Sequence, residues 1–241
     1  MARFVLVHGA FGGAWSWGPV IGPLQAAGHT VETLDLPGSG DDHTPVEDIT
    51  LASYAGRVCE VLDSRPEPAV LVGFSMGGVV VTQAASDRPD RVASLIFVAA
   101  FMPANGQSLV DLSDLPEGVG DMIKENLVVA GDPPVATLPD EAVVAGIYNR
   151  CAPEQAALAM KRRRPQPAAP LATPVRVDDE VLASIPRSYV LTKDDRSMVP
   201  PLQRRMIGEH PCERVIEIDA DHAPFLSATD ALVAALLELA S

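Results

Sequence analysis

Short runs of apolar residues recur along the chain, and several are nearly continuous in Val, Ile and Leu. Runs of this kind are typical of strands buried on both faces of a parallel sheet. The predicted strands are residues 4–8, 30–36, 69–74, 92–99, 188–192 and 214–219. Helix-length segments lie between them at residues 15–27, 50–64, 76–88, 200–209 and 227–240. The alternation predicts an α/β fold with a doubly wound, mostly parallel sheet.

Residues 103–186 interrupt this alternation. They contain many of the prolines, including PQPAAPLATP at 165–174, and short helical pieces such as APEQAALAMKRR at 152–163. No segment there has the pattern of a strand, and we interpret the proline-rich stretch as a rigid extended connector. We therefore predict an α/β core formed by residues 1–102 and 187–241, with residues 103–186 inserted as a helical cap over one sheet edge.

Composition narrows the class of partner. The chain has 241 residues, 47% hydrophobic and 21% charged, which suits one α/β domain with an insertion. Its net charge of −14 would repel a nucleic-acid backbone. The basic run from Lys161 to Arg164 is interpreted as the solvated end of a helix, where cations are favoured. The expected partners are small molecules and not nucleic acid.

The cysteines and the N-terminus give no sign of metal, disulfide or membrane. Cys59, Cys151 and Cys212 are far apart and read as small buried hydrophobes. The start, MARFVLVHGA, is too short an apolar run for a signal peptide, and no later run has the length of a membrane span. We expect a cytoplasmic protein without metal or cofactor, unless an export signal has been removed.

A G-x-S-x-G pattern, Gly73 to Gly77, follows one predicted strand and opens a predicted helix. The bare pattern is weak evidence, but this context is the one in which a nucleophilic serine sits on a sharp turn. Glycines on either side of Ser75 let the strand and the helix approach closely. The pattern predicts Ser75 as a nucleophile.

A serine nucleophile needs a base, and the base needs a carboxylate that orients it. Only His210 and His222 follow Ser75 with a carboxylate between. His222 lies just past the last predicted strand, where a loop can return it to the carboxyl edge of the sheet. We therefore predict His222 as the base.

The strand ending at residue 192 is followed by Asp194 and Asp195, at the same edge of the sheet. One of the two should reach the imidazole, and their spacing does not decide which. Asp219 and Asp221 compete as acids, but they share the loop of His222 and have an ordinary role in turn geometry.

The segment His8-Gly9-Ala10-Phe11-Gly12-Gly13 directly follows the first predicted strand. An oxyanion needs two backbone N–H groups, which we assign to Met76, after the nucleophile, and to Ala10 in this loop. The glycine spacing does not fit the G-x-G-x-x-G pattern of a dinucleotide site. His8 is interpreted as a hydrogen-bonding residue beneath the loop and not as a catalyst.

Together these segments resemble the α/β-hydrolase superfamily, in the branch of plant methylesterases, hydroxynitrile lyases and bacterial carboxylesterase relatives. The resemblance covers nearly the whole chain. It is carried by FVLVHGAFGGAWSW, LVGFSMGG, YNRCAPEQAA, RPQPAAPLATPV, IPRSYVLT, PPLQRRM and DADHAPFLS. It implies Ser75 as nucleophile, His222 as base, and Ala10 and Met76 as oxyanion donors. The run Asp195-Arg196 leading to Val199 is closer to the bacterial relatives and favours Asp195 as the acid, with Asp194 as the alternative.

The resemblance favours hydrolysis of small carboxylic esters. The similar hydroxynitrile lyases carry Thr at the position of Gly9 and Lys at that of Ala223, so the cation that helps them handle cyanide is missing here. A lyase, a cofactor-free perhydrolase and a small-molecule receptor stay as alternatives, whereas a dehalogenase would need a carboxylate at position 75.

The substrate side of the site is less determined. Phe11 is predicted to bind substrate, and a second copy of the chain is a partner to consider. The other candidates for the pocket wall are Trp15, Phe74, Met76, Leu109, Leu112, Met122 and Ile147.

Overall fold

The computed structural model describes residues 1–240. Six parallel strands form the central sheet, and three short antiparallel strands form a second one. The strands are β1 (Arg3–Val7), β2 (Thr30–Thr33), β3 (Ala69–Phe74), β4 (Val92–Val98), β5 (Val128–Ala130), β6 (Val135–Thr137), β7 (Gln166–Pro167), β8 (Arg187–Thr192) and β9 (Arg214–Ile218). The central sheet has the order β2-β1-β3-β4-β8-β9. The predicted fold class is therefore confirmed.

Helices flank this sheet and fill the connection between β4 and β8. They are α1 (Gly18–Ala26), α2 (Leu51–Asp63), α3 (Gly77–Asp87), α4 (Leu109–Ser113), α5 (Met122–Asn126), α6 (Asp140–Gly146), α7 (Pro153–Arg162), α8 (Ala169–Ala172), α9 (Asp179–Ser184), α10 (Pro200–Glu209), α11 (Pro224–Ser227) and α12 (Thr229–Leu239). Helix α2 packs against α3, and α1 packs against α12. Among residues 1–240, no helix is both long and apolar enough to cross a bilayer.

The apolar runs became the strands because a central strand of a parallel sheet is covered on both faces. Every residue of β1 and β3 is buried, whereas the edge strands β2 and β9 are only partly covered. Strand β2 ends at Thr33, earlier than predicted. The chain then leaves the sheet, and the Leu36 N–H donates to His8 Nε2 at 3.1 Å.

The prediction that residues 103–186 contain no strand is wrong. Strands β5 and β6 pair on either side of a turn in which Gly131 has a φ of +96°. Strand β7 adds to β6 and lies within the stretch interpreted as an extended connector, which also contains α8. All three residues of β5 are exposed, so the sequence has no buried apolar run from which this sheet could be predicted.

The start of the last helix also differs from the prediction. Helix α12 begins at Thr229, and its N-terminal residue Ala228 supplies no side-chain cap. Ser227 is instead the last residue of α11, and its hydroxyl donates to Asp221 Oδ1 at 2.6 Å.

Candidate active site

Ser75 occupies the sharp turn between β3 and α3, with a φ of +54°. A side chain at positive φ is strained, and the strain is offset by backbone bonds from Ser75 N to Val98 O and from Phe101 N to Ser75 O. The turn needs its glycines. A Cβ at Gly73 would lie 2.8 Å from the Gly77 carbonyl, and one at Gly77 would lie 2.8 Å from the Val7 carbonyl. Close approach of strand and helix thus leaves the Ser75 hydroxyl at the carboxyl edge of the sheet.

A chain of hydrogen bonds joins three side chains from distant parts of the sequence. His222 Nε2 lies 3.0 Å from Ser75 Oγ, and His222 Nδ1 lies 2.8 Å from Asp195 Oδ2. Because the carboxylate can only accept, Nδ1 carries the proton and Nε2 is left to accept from the serine. His222 and Asp195 are each 3% exposed, so solvent does not compete for these bonds.

Of the two adjacent aspartates, the structure brings only Asp195 to the imidazole. Asp195 Oδ2 also accepts from the Thr192 hydroxyl at 2.8 Å, and its Oδ1 accepts from the Ser197 and Met198 N–H groups. The Asp194 carboxylate is 46% exposed and lies 3.9 Å from the Arg150 guanidinium. The geometry therefore favours Asp195 as the acid.

Electrostatics prepare His222 to take up a proton. Burial alone would lower the pKa of His222, but the charge and hydrogen bond of Asp195 outweigh it and hold that pKa above its usual value. Asp121 and Asp221 add smaller contributions in the same direction. Burial raises the pKa of Asp121 to about 6, although it accepts from the Ile123 and Lys124 N–H groups.

The two predicted oxyanion donors have no protein acceptor. Neither the Ala10 N–H nor the Met76 N–H donates to another group within residues 1–240. The loop after β1 is held by residues of the inserted segment. Phe11 has a φ of +62°, its carbonyl accepts from Arg164 N at 3.2 Å, and its N–H donates to Gln166 Oε1 at 3.4 Å. Both N–H groups are thus available to a ligand in a turn of fixed shape.

His8 has the structural role predicted for it. It is fully buried, its Nδ1 lies 2.8 Å from Gly9 O, and its Nε2 accepts from Leu36 N. Burial lowers the pKa of His8. A neutral imidazole therefore joins the loop after β1 to the loop after β2.

A cavity of about 50 Å³ lies beside Ser75 and His222. Phe11, Phe74 and Ile147 line it, as predicted. The other five candidates, Trp15, Met76, Leu109, Leu112 and Met122, are not among its lining residues. The wall is completed by Gly9, Ala10, Gly12, Ser16, Ile123, Val143, Tyr148, Arg163, Ser197 and Phe225.

Tyr148 and Arg163 give this apolar wall two polar groups that the sequence did not reveal. Tyr148 is 8% exposed, its pKa is raised by burial, and its hydroxyl has no hydrogen-bond partner within residues 1–240. Arg163 donates to Leu138 O and to Asp140 Oδ1 at the rim. The sequence interpretation of Lys161 to Arg164 as a solvated helix end is wrong for its last two residues, since Arg164 donates to Gly40 O and Asp42 O.

Within residues 1–240, the structure contains neither a metal site nor a disulfide. No group of three or more His, Cys, Asp or Glu side chains is arranged for a metal within residues 1–240. All three cysteines are free, and burial raises the pKa of Cys59 and Cys212 to about 11.

Comparison with known proteins places the chain among hydrolases. A profile of the alpha/beta hydrolase family matches residues 4–235. The chain is 34% identical over 249 residues to methylesterase 7 of Arabidopsis thaliana, covering 99% of this chain and 96% of the relative. It is 33% identical over 248 residues to putative methylesterase 11, chloroplastic, of the same plant, covering 99% of this chain but 64% of that protein. The chain thus spans less than two thirds of the length of some of its relatives.

Solved structures agree with this placement. Polyneuridine aldehyde esterase superposes with a TM-score of 0.90 at 27% identity, and the match covers 100% of both chains. The methylesterase MES16 from Arabidopsis gives a TM-score of 0.84 at 26% identity, covering 99% of this chain and 98% of that one. The backbone is shared although about three quarters of the residues differ.

Proposed function

We propose that this chain, which belongs to the alpha/beta hydrolase family, hydrolyses small carboxylic esters with Ser75 as its nucleophile. The observation that carries the proposal is the hydrogen-bonded chain from Ser75 to the buried side chains of His222 and Asp195. The distances between the three side chains are those that acyl transfer requires of a nucleophile, a base and an orienting acid.

In the first half-reaction, His222 Nε2 takes the proton of the Ser75 hydroxyl while Oγ attacks the ester carbonyl carbon. The carbonyl oxygen becomes an oxyanion and accepts from the Ala10 and Met76 N–H groups. Asp195 remains ionised and stabilises the imidazolium through Nδ1. The carbon–oxygen bond to the alcohol then breaks, and His222 returns the proton to the leaving oxygen.

In the second half-reaction, a water molecule takes the place of the alcohol. His222 Nε2 removes one proton from that water as its oxygen attacks the acyl carbon of the Ser75 ester. The tetrahedral intermediate collapses, Ser75 Oγ recovers its proton from His222, and the carboxylic acid is released. The same two N–H groups serve both oxyanions, so the loop after β1 has to keep its shape throughout.

The cavity favours a small and mainly apolar substrate. Its volume of about 50 Å³ and its wall of Phe, Ile and Val side chains suit a short acyl or alkoxy group. The names of the methylesterase relatives support methyl esters as the first class to assay. The unpartnered Tyr148 hydroxyl supplies one donor, which would favour substrates that carry a second oxygen acceptor.

The test is hydrolysis of p-nitrophenyl acetate and of methyl esters of increasing acyl length, by the wild type and by Ser75→Ala. We expect Ser75→Ala to lower kcat by about a thousandfold or more. The matched control is Ser184→Ala, which alters an exposed serine whose hydroxyl only donates to Val181 O. Turnover by Ser75→Ala at the wild-type rate would refute the mechanism.

The same assays separate the alternatives. A receptor would bind a small ester or acid with equal affinity in the wild type and in Ser75→Ala, while turning over far more slowly than an esterase. A perhydrolase would need peroxide for its characteristic product. A lyase would cleave a cyanohydrin and leave methyl esters intact.

A further inference from the structure

A second buried carboxylate lies directly beside the proposed base. Asp221, which precedes His222 in the chain, has no exposed surface. Its Oδ1 accepts from the Ala223 N–H at 3.0 Å and from the Ser227 hydroxyl at 2.6 Å. Its Oδ2 accepts from the Arg150 N–H at 2.7 Å and from the Cys151 thiol at 3.5 Å. Four donors thus hold this carboxylate, and no cation contacts it directly.

Two of those donors come from about 70 residues away in the sequence. An ordinary turn at Asp221 would need only the local bond to the Ala223 N–H. The distant donors belong to residues 149–151, which lie between α6 and α7 and which we call the 149–151 turn. Turn geometry therefore accounts for one side of the carboxylate and leaves the other side unexplained.

The 149–151 turn contacts the loop of Asp195 as well. Asn149 Nδ2 donates to Asp194 O at 3.2 Å, beside the proposed acid. The Arg150 guanidinium pairs with Asp219 at 2.7 Å, on the loop of the proposed base. One turn of the inserted segment thus touches both loops whose side chains must stay in line with Ser75.

We propose that Asp221 is a positioning residue, which holds the His222 imidazole between Ser75 and Asp195 by tying its loop to the 149–151 turn. The proposal rests on the proposed function, because it assigns Asp221 a part in ester hydrolysis. Asp221 does not line the substrate cavity, and the ring nitrogens of His222 bond to Asp195 and Ser75 and not to Asp221. Asp221 acts instead through the backbone of the loop, which it holds at Ala223. Reaction rates in enzymes fall steeply when a catalytic group moves by about 1 Å.

The charge of Asp221 provides a second readout. The carboxylates that raise the pKa of His222 are Asp195, Asp121 and Asp221. Around Asp221 itself the titratable groups are Cys151, whose pKa is raised by burial, and Tyr148 and Arg150, which interact with the same negative charge. Replacing Asp221 by a neutral side chain should therefore lower the pKa of His222 as well as loosen its loop.

The test compares Asp221→Asn with Asp219→Asn. Asp219 lies two residues away on the same loop, is 68% exposed, and also contacts Arg150, so it controls for loss of a nearby charge. We expect Asp221→Asn to lower kcat by about 10- to 100-fold with KM nearly unchanged. The titration midpoint of the His222 ring protons, followed by NMR, should move to lower pH. Asp219→Asn should change both quantities much less.

Each other outcome counts against the proposal. If the midpoint shifts but kcat is unchanged, Asp221 acts only as a nearby charge. If kcat and the melting temperature fall but the midpoint does not shift, Asp221 has only a structural role. The NMR midpoint does not depend on turnover. If the wild type hydrolyses no ester, the proposed function fails, whereas an unshifted midpoint in Asp221→Asn refutes the inference.

Ser227→Ala and Cys151→Ala keep the test valid if Asp221→Asn does not fold. Each removes one donor and leaves the carboxylate in place. We expect each to lower kcat by about threefold without moving the His222 midpoint. Wild-type kcat in both variants would overturn the proposal.

Discussion

The six-stranded sheet and the segment between β4 and β8 contribute to the same site by different means. The sheet supplies Ser75, Asp195 and His222 from loops that follow parallel strands at one edge. The inserted segment supplies no member of that chain of hydrogen bonds. Its 149–151 turn contacts the loops of Asp195 and His222, and its Arg164 and Gln166 contact the loop after β1. The proposed catalytic groups thus lie on the sheet, and the insertion contacts the loops that hold them.

The central sheet and the small sheet formed by β5, β6 and β7 also differ in burial. The central strands are buried on both faces, so the hydrophobic effect fixes them wherever apolar residues run continuously. In the small sheet, β5 is exposed. Other residues of the insertion, such as Leu112, Val143 and Leu171, are buried in the same hydrophobic cluster as the central strands. Polar contacts, such as Gln166 Nε2 to the Tyr54 hydroxyl at 3.0 Å, add to this packing. A change in exposed β5 should therefore affect stability less than a change in a central strand.

The largest expected effect separates the two adjacent aspartates. Asp195→Asn should lower kcat about ten-thousandfold, because an amide cannot hold the imidazole tautomer that leaves Nε2 free to accept. Asp194→Asn should stay within about threefold, since that carboxylate is half exposed. The measurement is the steady-state kcat of both variants and of the wild type on one methyl ester. Equal losses in both variants would contradict the assignment of Asp195.

Stability should depend on the central six-stranded sheet more than on the small sheet. Leu71→Ala in β3, where the side chain is fully buried, should lower the free energy of unfolding by about 2–5 kcal/mol. Val129→Ala in β5, where the side chain is 52% exposed, should change it by less than about 0.5 kcal/mol. Urea denaturation followed by circular dichroism measures both. A large loss from Val129→Ala would show that the insertion carries stability of its own.

A smaller effect tests the contact of the insertion with the loop after β1. Gln166→Leu leaves the Phe11 N–H without its acceptor, so the loop holding Ala10 should loosen and kcat should fall about tenfold. Tyr54→Phe removes one acceptor of the Gln166 Nε2 group and keeps the bond to Phe11, so it should lower kcat less. The comparison uses kcat on p-nitrophenyl acetate. A greater loss of kcat in Tyr54→Phe would assign the effect to packing.

The smallest effect concerns pH. His222 must be neutral to act as a base, and its pKa is raised, so kcat/KM should increase with pH with a midpoint above the usual histidine value of about 6.5. Asp121, in the insertion, adds negative charge, and Asp121→Asn should move that midpoint to lower pH. Asp140→Asn, at an exposed carboxylate, is the control. If the midpoint does not move in Asp121→Asn, the charge of Asp121 does not affect the pKa of His222.

Most of the sheet and the proposed catalytic residues could be predicted from the sequence, because each has a local signal. Continuous apolar runs indicate the buried strands, and Gly73 and Gly77 frame the turn at Ser75. The pocket wall had no such signal. Ile123, Val143, Tyr148 and Arg163 reach the cavity from short elements of the insertion, whose packing is set by contacts far apart in the sequence.

By itself, the sequence determined the fold class and the order of nucleophile, acid and base, since periodicity, glycine spacing and chain order are local properties. Spacing left Asp194 and Asp195 equivalent, the resemblance favoured Asp195, and Asp221 was interpreted as an ordinary turn residue. The tertiary structure gave the three carboxylates different surroundings: Asp195 contacts the imidazole, Asp194 is half exposed beside Arg150, and Asp221 contacts the 149–151 turn. The physical reason is that burial and hydrogen-bond partners of a carboxylate depend on segments brought together by folding, which no neighbouring residue encodes.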